Sequence, residues 1–164
     1  MLAATAFGIA CAGFGIWMLT KYFLRPTIAR AKISPPEVSV STEEPKVGEE
    51  FSVTCQQRFK GAADVKGITL SLVFRETAVH GSGRSTKVLT DDEIIHEFKH
   101  PGRRYDVGEV FQDRRTLRIP EGAMHTFIAR YNKLQWFVKV RVEMAGWPDL
   151  EENYEIRVLP EIVR

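Results

Sequence analysis

The first twenty residues, Met1 to Thr20, contain no Asp, Glu, Lys, Arg or His. No other feature limits the chain so strongly. At about 1.5 Å of rise per residue, 20 helical residues reach roughly 30 Å, the thickness of a bilayer's hydrocarbon core. A backbone in lipid must satisfy its own hydrogen bonds, which a lone span does only as a helix. The organisation expected is a transmembrane helix over 1–25, a basic Pro-containing linker over 26–36, a folded domain over 37–160 and a short tail over 161–164.

The flanking charge orients the helix. No Lys or Arg precedes the span, whereas Lys21, Arg25, Arg30 and Lys32 follow it. Cationic flanks stay on the cytoplasmic side. The N-terminus is therefore expected outside and the domain in the cytoplasm. Trp17 and Tyr22 lie near the inner boundary, where amphipathic rings favour the headgroups. Together with Lys21, Arg25, Arg30 and Lys32 they form the expected membrane-interface set. A cleaved signal peptide needs a basic lead and a shorter apolar core. Gly8-Ile9-Ala10-Cys11 resembles a lipoprotein box without its usual Leu. Signal anchor is the better reading.

Ala4, Gly8, Cys11 or Ala12, and Gly15 recur at spacings of three and four. They make one helix face nearly flat, and flat faces let a second helix backbone approach closely in lipid. This is the expected docking face for integral-membrane protein subunits. The span carries no ionisable side chain, so it offers no proton relay and no imidazole for a haem or chlorophyll metal. No cofactor is expected.

The formal net charge of the 164 residues is +2, and the four flanking cations leave the remainder at −2. Positive charge is thus a juxtamembrane feature suited to anionic membrane lipids. No basic stripe with interleaved aromatics runs through the domain, so nucleic acid is not an expected partner. Of the two cysteines, Cys11 lies in the span and Cys55 in the domain. They cannot pair within one chain, which fits a reducing compartment.

Beyond the linker the apolar period changes to two. A short strand is expected over 37–40 and a turn region over 41–50. Phe51, Val53, Cys55, Gln57 and Phe59 then alternate with Ser52, Thr54, Gln56 and Arg58, the pattern of a half-buried strand. A loop is expected over 61–67, then a strand in which Ile68, Leu70, Leu72 and Phe74 share a face. Gly81-Ser82-Gly83 marks a hairpin or loop. A weaker strand is expected over 93–98, a basic turn over 101–105, an irregular strand over 110–119 and a long connection over 120–133. Leu134, Trp136, Val138, Val140 and Val142 give the clearest strand, Trp147-Pro148-Asp149 a turn, and Tyr154, Ile156 and Val158 a closing strand. Seven or so short strands without an amphipathic helix argue an all-β, antiparallel two-sheet sandwich.

Leu117-Arg118-Ile119-Pro120, Thr126-Phe127, the Trp136 strand, Trp147-Pro148-Asp149 and the Tyr154–Pro160 segment resemble the closing half of an arrestin-like β-sandwich of bacterial membrane-anchored proteins. Pro45-Lys46-Val47-Gly48-Glu49 and the strand after it fit the first half more loosely. The resemblance covers about residues 37–160 and implies a non-enzymatic scaffold that docks on membrane proteins. The chain has length for one sandwich where full arrestins have two. An immunoglobulin-like or fibronectin-like sandwich shares the same strand pattern.

The polar residues give no catalytic constellation. His96 and His100 have i, i+4 spacing, but their segment lacks helical periodicity and Pro101 follows. Asp91-Asp92-Glu93 reads as a solvated acidic loop. Arg103, Arg104, Arg114, Arg115 and Trp147 are the expected partner contacts, and Trp136 belongs to the core. The functional expectation is a non-enzymatic, single-pass accessory subunit of a larger integral-membrane complex, respiratory or photosynthetic in class. The alternative is a stand-alone arrestin-like regulator that recruits lipid or cargo.

Overall fold

The computed structural model describes residues 32–81 and 86–161. The expected span lies outside them, with its docking face of Ala4, Gly8, Cys11, Ala12 and Gly15 and the interface residues Trp17, Lys21, Tyr22, Arg25 and Arg30. Among the described residues no helix is long and apolar enough to cross a membrane.

Eight strands form the domain: β1 (Glu37–Val40), β2 (Glu50–Arg58), β3 (Ala63–His80), β4 (Lys87–Tyr105), β5 (Val110–Arg118), β6 (Phe127–Ile128), β7 (Asn132–Met144) and β8 (Leu150–Ile156). They build two antiparallel sheets. One has the order β1-β2-β5. The other runs β4-β3-β7, with β6 and β8 both pairing the far side of β7.

The alternation in the sequence sets the layering. Phe51, Val53 and Cys55 of β2 are buried, as are Ile68, Leu70, Leu72 and Phe74 of β3 and Trp136, Val138, Val140 and Val142 of β7. These faces meet in one apolar core, the arrangement of two sheets facing each other. Trp136 is its largest fully buried side chain. Its ring lies 4.9 Å from that of Phe74, and its indole N–H donates to the Met124 carbonyl at 2.9 Å. The bond satisfies the one polar group that this large side chain takes into the core.

The five-stranded sheet also buries part of its outer face. Val73 and Phe137 lie on the opposite parity to the core residues, yet both are buried. Long charged side chains cover them. The Arg75 guanidinium lies 4.8 Å from the centroid of the Phe137 ring. Two hydrogen bonds to the Asp92 carboxylate, 2.6 and 2.7 Å, hold it there. That bond holds the Asp92 carboxyl below the usual carboxylate range.

Several local expectations are corrected. The strand expected over 93–98 runs from 87 to 105, so the basic turn at 101–105 and the acidic loop at Asp91-Asp92-Glu93 are both extended strand. The local charge hides a pairing supplied by β3, which answers β4 from Ala63↔Tyr105 to His80↔Lys87 with a register shift between Leu72 and Val73. β3 likewise starts at Ala63, inside the expected loop over 61–67. A two-residue strand, β6, interrupts the expected connection over 120–133.

The chain packs before β1. Ile33 is fully buried and bridges Phe59. Ser34 N–H donates to the Arg58 carbonyl at 3.1 Å, and the buried Gln57 amide donates to Ser34 and Arg58 carbonyls at 2.7 and 3.0 Å. Residues 32–36, expected in the linker, are therefore part of the sandwich.

Gly102 sits where β4 crosses an irregularity in β3. A Cβ there would lie 2.3 Å from the carbonyl oxygens of Val65 and Lys66. Backbone cannot yield as a flexible side chain can, so only glycine fits. Gly102→Ala should destabilise the domain by about 1–3 kcal/mol, and Trp136→Ala by about 3–5 kcal/mol. Urea unfolding followed by circular dichroism measures both. A loss below about 1 kcal/mol for Trp136→Ala would mean that the core does not depend on this ring.

Candidate interaction surfaces

The two sides of the sandwich are built differently. On one, β4 comes against β5. His100 Nε2 lies 2.8 Å from Asp113 Oδ2, and Arg115 Nε donates to the same oxygen at 2.8 Å. The Arg115 guanidinium sits 5.0 Å from the Phe98 ring, and Phe111 meets His100 edge-on at 5.0 Å. His96 Nε2 is 3.1 Å from the Arg118 carbonyl. The i, i+4 histidines thus point along one strand face into the seam. Among the described residues no group of three or more His, Cys, Asp or Glu is placed to hold a metal ion.

Burial alone would raise the Asp113 pKa, but the hydrogen bonds from Arg115 and His100 outweigh it and hold the carboxyl below its usual range. Asp113 answers Cys55 across the β2–β5 register. Burial first, and the Asp113 charge second, push the Cys55 thiol up to about 12. A thiol so held is not a nucleophile at neutral pH.

On the other side β1 and β8 stay apart. A groove of about 610 Å³ opens between them, with Val38 and Val40 on one wall, Tyr154 and Ile156 on the other, and Thr126 and Ile128 at one end. Glu43, Glu44, Glu155 and Arg157 stand round it. The Tyr154 hydroxyl crosses to donate to the Pro36 carbonyl.

The expected partner contacts are scattered. Arg103 stacks 3.7 Å from the Tyr105 ring centroid and reaches Glu109 at 3.2 Å. Arg104 lies 3.9 Å from both Asp64 and Asp106. Arg115 is spent in the seam. Arg114 answers Thr54 across β5 and β2 and makes no ion pair among the described residues. The four arginines do not converge on one anion site. Trp147 is 37% exposed, and Lys32 Nζ lies 4.8 Å from its ring centroid while donating to the Ala62 carbonyl at 2.8 Å. Lys32, expected at the membrane interface, is anchored to the domain. The groove had escaped the sequence reading, because its walls come from strands more than a hundred residues apart.

The segments that carried the family resemblance do converge. Gly48 N–H donates to the Ile119 carbonyl at 3.0 Å and Ile119 N–H to the Glu49 carbonyl at 3.1 Å. Val47 N–H reaches the Leu159 carbonyl at 3.1 Å, and Thr126 N–H the Val158 carbonyl at 2.9 Å. They tie the two sheets together at one end of the sandwich.

No protein-family model matches the sequence, and no curated protein matches it. Among solved structures the chain is similar to Spo0M, the sporulation control protein of Bacillus subtilis. The TM-score is 0.58 with 20% identity over 75% of this chain and 48% of that one. The chain thus spans about half the length of that protein. The likeness shows an arrestin-like β-sandwich fold.

Two outcomes test the seam. Asp113→Asn should lower stability at pH 7 by about 1–3 kcal/mol. The native carboxyl's pKa is depressed, so its contribution is complete above the unfolded value near ~3.9 and is lost as pH falls through the lower native value. Urea midpoints of wild type and variant should therefore converge in strong acid; a constant gap would show that the charge is not responsible. Native protein treated with iodoacetamide at neutral pH should leave Cys55 unmodified by peptide mass spectrometry, with alkylation appearing on unfolding in urea.

Proposed function

We propose that this chain is a non-enzymatic, single-pass scaffold: an accessory subunit of a larger integral-membrane complex, with its sandwich on the cytoplasmic face of a bacterial inner membrane. The observation that carries the proposal is the uncharged Met1–Thr20 run ahead of a cationic collar. Its junction with a packed domain supports it. The collar ends at Lys32, and Ile33 is already buried in the sandwich. Six residues, 26–31, then separate Arg25 from Lys32, a reach of at most ~25 Å. Such a short connection holds the sandwich close to the bilayer, with the end bearing Lys32 and Trp147 toward it. An arrestin-like sandwich supplies interaction surface, and the small-residue face of the span supplies attachment in lipid. A host complex in respiration or photosynthesis suits an inner-membrane subunit that has no redox ligand of its own.

The similarity to a sporulation control protein favours a second reading, a stand-alone regulator that recruits lipid or cargo. Purification from native membranes in mild detergent, with mass spectrometry of co-migrating proteins, separates the two. The scaffold reading expects a stoichiometric set of integral-membrane partners that survives moderate salt. Contacts through exposed charge weaken as salt shortens the Debye length, so the regulator reading expects a lone protein or salt-labile lipid. Gly8→Leu or Gly15→Leu should reduce partner recovery severalfold while leaving the domain folded. Full recovery with both variants would remove helix docking as the mode of attachment.

A further inference from the structure

The groove between β1 and β8 is bordered by two strand edges, and the hydrogen-bond pattern fixes which groups those edges present. Ser41 N–H donates to the Ser52 carbonyl at 2.9 Å. Antiparallel pairs exchange hydrogen bonds at every second residue. In the β1–β2 register, Ser39↔Thr54 and Glu37↔Gln56 are then the bonded pairs, and Val38 and Val40 turn their N–H and C=O groups away from β2. Those are the residues that line the groove. No strand pairs with that edge of β1 among the described residues.

The same reasoning applies to β8. Val79 N–H donates to the Tyr131 carbonyl at 2.7 Å, so odd-numbered residues of β7 bond to β3. Ala129 N–H donates to the Asn132 carbonyl at 2.9 Å, so even-numbered ones bond to β6 and β8. In the β7–β8 register Leu150, Glu152, Tyr154 and Ile156 therefore face β7, and Glu151, Asn153 and Glu155 direct their amides outward. Acidic side chains on an edge strand discourage an incoming strand. β1 carries no such guard at Val38 and Val40.

The side chains define the occupant. Val38, Val40, Ile128 and Ile156 give the groove apolar walls. Three carboxylates stand round it, Glu43, Glu44 and Glu155, against one cation, Arg157. Arg157 is held by Glu44 at 3.1 Å, and Glu155, opposite Phe137 in the register, turns to the outer face of the five-stranded sheet, where it accepts from Gln135 at 2.9 Å. The rim is net negative.

We propose that this groove captures an extended peptide segment of a partner protein, one that alternates apolar and cationic side chains and adds to β1 as a strand. Main-chain bonds to Val38 and Val40 hold its backbone. Its apolar side chains enter the groove, and its cations meet Glu43 at the rim. In strand addition, backbone bonds supply affinity and alternate side-chain pockets supply specificity. The proposal does not depend on the membrane reading.

The test uses the full chain in mild detergent and two fluorescein-labelled nonapeptides, one alternating lysine with valine and one alternating glutamate with valine. Fluorescence anisotropy should show the lysine peptide binding at least about tenfold more tightly than the glutamate peptide. Val40→Pro removes an N–H that faces the free edge and leaves the β1–β2 bonds in place, a setting in which edge strands tolerate proline. It should weaken binding at least about tenfold with an unchanged circular dichroism spectrum. Glu43→Lys, outside β1, should remove most of the preference for lysine. Hydrogen exchange should show new protection across residues 37–40 in the bound state. Equal binding of both peptides, no binding of either, or wild-type affinity in a folded Val40→Pro protein would each overturn the proposal. Self-association of the chain that Val40→Pro abolishes would instead seat a second copy in the groove, and would overturn it too.

Discussion

A sandwich of three strands against five cannot close both sides in the same way. Its faces bury themselves by apolar contact, but its flanks expose core to water wherever the sheets separate. Here one flank is sealed by side chains with specific partners. Asp113 accepts from both Arg115 and His100, and Phe98 and Phe111 lie beneath them. Polar groups half out of water are costly unless bonded. This seam meets that condition by placing one carboxylate between two donors. The other flank is tied at its two ends, by the Tyr154 hydroxyl on the Pro36 carbonyl and by Arg157, whose N–H donates to the Glu43 carbonyl at 3.3 Å and whose guanidinium meets Glu44 at 3.1 Å. The unequal sealing leaves the groove.

The lead-in segment depends on the same geometry. β1 is four residues long and pairs with β2 alone, too little to fix a chain end by itself. Ile33 adds a fully buried side chain, and the Gln57 amide donates to Ser34 and Arg58 carbonyls where water is excluded. Gln57 breaks the apolar pattern of β2 because its polar end is needed there. The result is a lead-in segment, residues 32–36, packed into the sandwich.

Period-two alternation was legible where both faces of a strand differ. β2 and the inner residues of β3 and β7 were read with their facing correct, and β1 with its ends correct. The failures have a common cause. In β4, Asp91-Asp92-Glu93 and Pro101 to Tyr105 carry local signals for loop and turn, but β3 supplies pairing across its whole length, and pairing outweighs weak local propensity. Phe137 broke alternation because Arg75 covers its ring, a contact created by register and invisible in a linear string. Trp147, expected to be exposed, is partly so, while Arg103, Arg104 and Arg115 serve neighbouring carboxylates. The groove was not legible at all. Its walls belong to residues 38–44 and 126–157, joined by topology.

The open flank also bears on why the edges are unequal. β8 places Glu151 and Glu155 on its outer edge, and β4 carries Asp91, Asp92 and Glu93 over its exposed half, the devices by which edge strands avoid self-pairing. β1 has none at Val38 and Val40. It is short, recessed behind Tyr154 and bordered by carboxylates on neighbouring segments. Such an edge is closed to a flat, neutral strand from another copy, whose side chains would meet Glu43 without compensating charge. It stays open to a narrow segment that brings cations with it. Selectivity here comes from what surrounds the backbone edge rather than from the edge itself.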